Sequence, residues 1–155
     1  MKTGEKLNWL SVDFIDQLEY LSPGMKGKWG VMNAQQMVEH MSYSFRQANG
    51  KDKKKLLTPA DNLERMRTFM LSEKPFKENT KNIELPEIPG PVLKSSMKAA
   101  IAELRTEMND FIEYYKSNPE NKLMNPFFGE LDFEEWVHLL HKHTMHHAKQ
   151  FGLIE

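Results

Sequence analysis

The stretch "HLLHKHTMHHAKQF", residues 138–151, carries five of the six histidines in a chain of 155 residues. Histidine changes charge near neutral pH and binds divalent metals through a neutral ring nitrogen. Such a run could be a metal site, a proton relay, or a polar face that is rich in imidazole. Helix geometry sorts the five. At about 100° per residue, Phe133, Trp136, Leu140 and Phe151 share one face of a helix, and His143 and His147 fall on the same side. His138 points almost opposite, with His141 and His146 to either side, so these three read as surface or boundary residues. Two imidazoles at i, i+4 stand about 6 Å apart, close enough for one ion to draw their nitrogens together. A core histidine bonded to a backbone carbonyl is the competing reading, and the pair alone leaves both open. The sixth histidine, His40 in "MVEHMSYSF", lies at the edge of its helix's apolar stripe. That place suits a ligand at the mouth of a bundle and an ordinary boundary residue equally.

Composition narrows the chemistry further. There is no cysteine, which removes disulfides, thiolate metal ligands and a cysteine nucleophile. The net charge of −1, with both signs interspersed, argues against nucleic acid as a partner. The basic run "GKDKKKL" (50–56) is short and reads as a solvated loop rather than a phosphate site. No apolar run approaches the roughly 20 residues that cross a bilayer. The first residues lack a signal-peptide core, so a cytoplasmic address is expected.

The elements that must position the histidines read as helices. "SVDFIDQLEYL" (11–21) spaces Phe14, Ile15, Leu18 and Leu21 helically, with Ser11 as its expected N-cap. Pro23, Gly24, Gly27 and Gly30 then interrupt the chain. "NAQQMVEHMSYSFRQA" (33–48) begins with an Asn33/Gln36 capping box and aligns Met37, Val38, Met41, Phe45 and Ala48. A helix over 58–71 is expected to take Thr58 as cap and Pro59 as its first residue. Prolines at 75, 86, 89 and 91 break 72–92 into a long loop, which a compact domain uses as a lid or a crossover. The spacing predicts a helix over 93–117, stopped by Pro119, and then a loop over 120–131 with no hairpin signal. The last helix starts at an Asp132/Glu135 capping box, runs to about Phe151, and is closed by Gly152. The fold class expected is therefore all-α: a single domain over 1–155, built as a four-helix bundle with 72–92 as crossover. Eleven methionines suit its core.

Several of these segments resemble the DinB-like superfamily, and more narrowly a branch known mainly as a domain of unknown function. They are "WGVMNAQQMVEHM" (29–41), "SEKPFKENTKN" (72–82) and "NPFFGELDFEEWVHLLHKHTMHHAKQFGL" (125–153). The resemblance covers nearly the whole chain. Its most specific parts are Trp29-Gly30, His40, the Pro-Phe-Phe-Gly turn, and His-x3-His followed by Gln-Phe-Gly. It implies an up-and-down four-helix bundle, often a homodimer, and three histidine ligands to a divalent ion, zinc or nickel. Carried over by position, those ligands are His40, His143 and His147, and Gln150 matches the family's glutamine. Ala148 and Lys149 stand where many members have Arg-Gly, so no role of that arginine transfers.

Three neutral imidazoles leave an ion its charge and an open coordination position, enough to acidify a bound water to a pKa of about 7 or to hold a thiolate. Characterised relatives of the resembled superfamily include thiol-dependent transferases and isomerases. The resemblance therefore implies an enzyme acting on a small-molecule substrate, through a low-molecular-weight thiol or metal-activated water. The alternative is a non-catalytic binding bundle with a structural or incidental metal, whose pocket Trp9, Trp29 and Trp136 could wall. The catalytic acid or base is not identified. Glu134 and Glu135 read as capping charges, and Asp13, Glu39 and Tyr43 are no better supported.

Overall fold

The computed structural model describes residues 1–80, 85, 86 and 88–155. The chain is mostly helical, with one small two-stranded sheet. Its first helix starts earlier than the apolar spacing predicts. It comprises α1 (Thr3–Asn8), a π-helical stretch (Trp9–Phe14) and α2 (Ile15–Leu18) in unbroken succession. Ser11 is not a cap. It lies inside the π stretch, and its hydroxyl donates back to the Leu7 carbonyl at 2.8 Å. Such back-bonding competes with the regular ladder and bends helices. The π turns carry an extra residue, so a single 3.6-residue period cannot span both halves. Leu10, Phe14, Ile15 and Leu18 are all fully buried.

α3 (Ala34–Ala48) opens on the expected capping box: the Gln36 amide donates to Asn33 Oδ1, and the Asn33 amide to Gln36 Oε1. α4 (Ala60–Leu71) begins one residue later than expected, with Pro59 as N-cap. Thr58 does not cap it, because its hydroxyl donates to the Phe127 carbonyl at 2.7 Å. α5 (Met97–Ser117) also starts late, on Ser96, whose hydroxyl accepts from the Ala99 amide. The residues just before it are held outside the helix by Glu39 of α3, whose carboxylate accepts from the Leu93 and Lys94 amides. That contact commits Glu39 to structure. α6 (Phe133–Gln150) has the predicted Asp132/Glu135 box, and Gly152 closes it at φ +71°, a conformation that favours glycine.

Residues 120–131, expected as a plain loop, contain a hairpin. β1 (Leu123–Asn125) pairs antiparallel with β2 (Gly129–Leu131), Met124 opposite Glu130. Strands of three residues are too short for alternation to show. The turn instead comes from Asn125, whose Oδ1 accepts from the Phe127 and Phe128 amides. Between α4 and α5, no helix or strand forms among the described residues. The crossover expected over 72–92 includes 81–84 and 87, and the resembling segment 72–82 includes 81 and 82; these lie outside the described residues.

α3 and α5 form the most extensive helix pair, with Phe45 edge-on to Phe111. α6 packs against α1, the π stretch, α3 and α4. Methionines 37, 41, 70, 97 and 108 lie in this core. At the end of α3, Glu107 of α5 is 2% exposed and meets Arg46 at 3.1 Å, Lys51 at 2.5 Å and the Asn49 amide at 3.1 Å. Lys51, read as part of a solvated loop, is thus an anchor. A buried carboxylate is stable only when its charge and lone pairs are matched in this way.

Candidate metal centre

The face of α6 predicted to turn inward does so. Trp136, Leu140, His147 and Phe151 are buried, and His143 is partly so. α3 brings His40 to the same place. His40 Nε2 and His147 Nε2 each lie 3.0 Å from His143 Nε2. Ligating atoms of all three side chains fall within 4.8 Å of one another. The one histidine that sequence spacing left ambiguous is therefore brought into contact with the pair, across 103 positions of chain.

Hydrogen bonding assigns the tautomers. Gln150 Nε2 donates to the Trp29 carbonyl at 2.9 Å, which turns Gln150 Oε1 toward His147 Nδ1 at 2.7 Å. An amide oxygen only accepts, so Nδ1 of His147 carries the proton and Nε2 presents a lone pair. Ser44 works on His143 in a similar way. Its hydroxyl donates to the His40 carbonyl, so its oxygen faces His143 Nδ1, 3.4 Å away. An imidazole nitrogen has one in-plane lobe and can make only one good hydrogen bond. Two 3.0 Å nitrogen contacts on His143 Nε2 therefore exceed what protons can satisfy. A cation accepts all three lone pairs. Tetrahedral bonds of about 2.0–2.1 Å would put nitrogens about 3.3 Å apart, within a few tenths of the two 3.0 Å separations that His143 makes.

Burial keeps these rings neutral, which is the ligating form. It pushes His40 down to about 4, with help from His146, and holds His143 and His147 well below the usual imidazole value, reinforced by their neighbouring rings. The family model for the DinB superfamily matches residues 5–151. The chain belongs to the DinB superfamily. No curated protein and no solved structure matched it. In this DinB-superfamily chain the matched span holds all three imidazoles, Gln150 and Trp29.

The Trp29-Gly30 motif acquires a physical role. Trp29 supplies the carbonyl that orients Gln150, and Gly30 sits at φ +78° with its α-carbon against that side chain. A Cβ there would lie 2.7 Å from Gln150 Nε2. The remaining histidines are half-buried, as boundary residues are, but have different neighbours. His138 and His141 face the first helix: His138 Nδ1 meets Lys6 Nζ of α1 at 2.6 Å, and His141 packs edge-on to Trp9 of the π stretch. His146, read as a boundary residue, belongs to the rim of the site. Its ring lies 5.2 Å from His147, 5.5 Å from Trp29 and 6.0 Å from Phe76. Helical phase could not reveal this, because Trp29 and Phe76 arrive from loops.

The three tryptophans have separate surroundings. Trp136 is core, Trp9 packs on Phe14 and His141, and Trp29 stands at the rim. Glu135 completes its capping box and pairs with Arg67, Glu134 and Asp13 are exposed, and Tyr43 lies beneath Lys54.

Proposed function

We propose that His40, His143 and His147 hold one divalent cation, zinc or nickel, and that the chain is a metal-dependent enzyme acting on a small molecule. Its chemistry is transfer of a low-molecular-weight thiol to an electrophile, or hydrolysis by activated water. The observation that carries this reading is the convergence of three Nε2 lone pairs, two of them fixed by protons held elsewhere on the ring. Bound there, a divalent cation supplies Lewis acidity and lowers the pKa of a water or thiol that reaches it. Gln150 and Ser44 orient two of the rings, and such outer partners raise ligand basicity. On the same reading the chain is one domain, an up-and-down four-helix bundle crossed by the α4–α5 connection, working as a cytoplasmic homodimer.

Thiol transfer is the better supported of the two reactions. Hydrolysis needs a proton acceptor beside the water, and Glu39 and Glu135 are already engaged by backbone amides or Arg67. A thiol ionised by a cation needs no such base. The same commitment of carboxylates favours a second reading, a binding bundle with a structural or incidental metal. Protein purified without an affinity tag should carry about one ion per chain, as expected for a single three-nitrogen site. The double substitution His143→Ala, His147→Ala should carry almost none; equal metal in both proteins would remove the site. Metal-replete protein screened with small thiols and electrophiles then separates enzyme from binding module, and silence across a broad panel favours the latter.

A further inference from the structure

Phe76 stands against the imidazole cluster from outside the bundle. Its ring is edge-on to His143 at 6.2 Å and to His146 at 6.0 Å. The chain just before it is fastened in an unusual way. Lys142 of α6 is only 7% exposed, and its ammonium is directed at backbone: it donates to the Ser72 carbonyl at 2.9 Å and to the Lys74 carbonyl. His138 Nε2 reaches the same Ser72 carbonyl at 3.2 Å. Lys6 of α1, 4% exposed, braces His138 from the other side and lies 3.9 Å from Glu73. The Lys142 ammonium also sits 4.8 Å over the Phe69 ring, which packs on Phe76 at 5.6 Å. Burying two lysines is unfavourable unless their charges are well solvated by protein dipoles. For Lys142 those dipoles are the Ser72 and Lys74 carbonyls, while Lys6 leans on the His138 ring and the Glu73 carboxylate; the same short segment, 72–74, continues to Phe76.

From this we propose that Phe76 is the gate of the three-imidazole site and that Lys142 is the residue that positions it. The inference rests on the metal-site reading above. A ring that only rests against the ligands adds no bond to a cation. Its removal changes how fast a cation enters and leaves without changing how tightly it is held. Loosening the grip on Ser72 and Lys74 has the same consequence, because both changes free the same segment.

The test uses Co²⁺ alone as the probe, on the full chain. Visible absorption follows its uptake, and extraction into excess chelator follows its release. Phe76→Ala is expected to raise both rates by the same factor, about tenfold for a gating element, with Kd unchanged. Phe76→Leu should restore most of the barrier. Lys142→Met, which keeps the apolar stem and removes the donor, should accelerate both rates, and the double variant should show no further gain, since the two act through one element. A Kd that weakens with only the release rate raised would make Phe76 a structural prop and overturn the gate. Unchanged rates in Phe76→Ala would overturn it as well, whether or not Lys142→Met folds. A parent protein that takes up no Co²⁺ ends the metal-site reading and the gate together, which distinguishes that failure from the other two.

Discussion

His147 shows how one proton decides what a side chain can do. Its Nδ1 proton is held by Gln150, so its Nε2 is available to a cation; the buried, neutral state follows from desolvation. The energetic consequence has a definite sign. His40 ionises near 4 in the folded chain against about 6.5 when unfolded, and His143 and His147 are displaced in the same direction. Below 6.5 the unfolded chain binds more protons than the folded one, so stability falls with pH across that window. The contribution is complete above 6.5 and is lost as pH drops toward 4. The urea midpoint of metal-free protein should therefore be lower at pH 5 than at pH 7, and the difference should shrink in His40→Ala. Protons also compete directly for the ligating lone pairs, so bound metal should be released over the acid range.

At the scale of elements, the turn between the first helix and α3 does more than connect. Gly30 allows its backbone to lie against Gln150, and the Trp29 carbonyl sets the orientation of that amide. Gly30→Ala should cost about 1–2 kcal/mol from the left-handed backbone alone. It should also weaken metal binding about 10- to 100-fold by displacing the partner of His147. Chelator competition measures the second effect and thermal denaturation the first; a full affinity loss without any stability loss is not expected. The elements were unevenly legible in the sequence. Both capping boxes were visible because their partners are three residues apart, and the inward pair on α6 followed from helical phase. Asn125's turn, the π stretch and the late start of α5 were not visible. Asn125's turn is local but joins strands too short to show alternation, the π stretch breaks the helical period, and the start of α5 depends on a distant partner, Glu39, which holds Leu93 and Lys94 out of the helix. His40 was ambiguous for the same reason, and only the resemblance to a family placed it among the ligands.

Across the whole molecule, the proposed ligand set joins residue 40 to residues 143 and 147, so the cluster does not exist in the unfolded chain. A cation that binds only the folded form stabilises it by about 2.7 kcal/mol at a hundredfold excess over Kd. For a chain of this size that corresponds to a rise in Tm of roughly 5–10 °C. Differential scanning calorimetry with zinc or nickel should show such a rise in the parent and none in His40→Ala. The N-terminal helix enters the same balance by an indirect route. α1 and the π stretch lie on α6, while α2 beyond it reaches α5. The widened turns let one continuous rod face two neighbours in two different phases. Excising a single residue between positions 9 and 14 would twist its leading end by about 100°. Lys6 would then swing away from His138, and a change nowhere near the cation would slacken the hinge on which its doorway hangs.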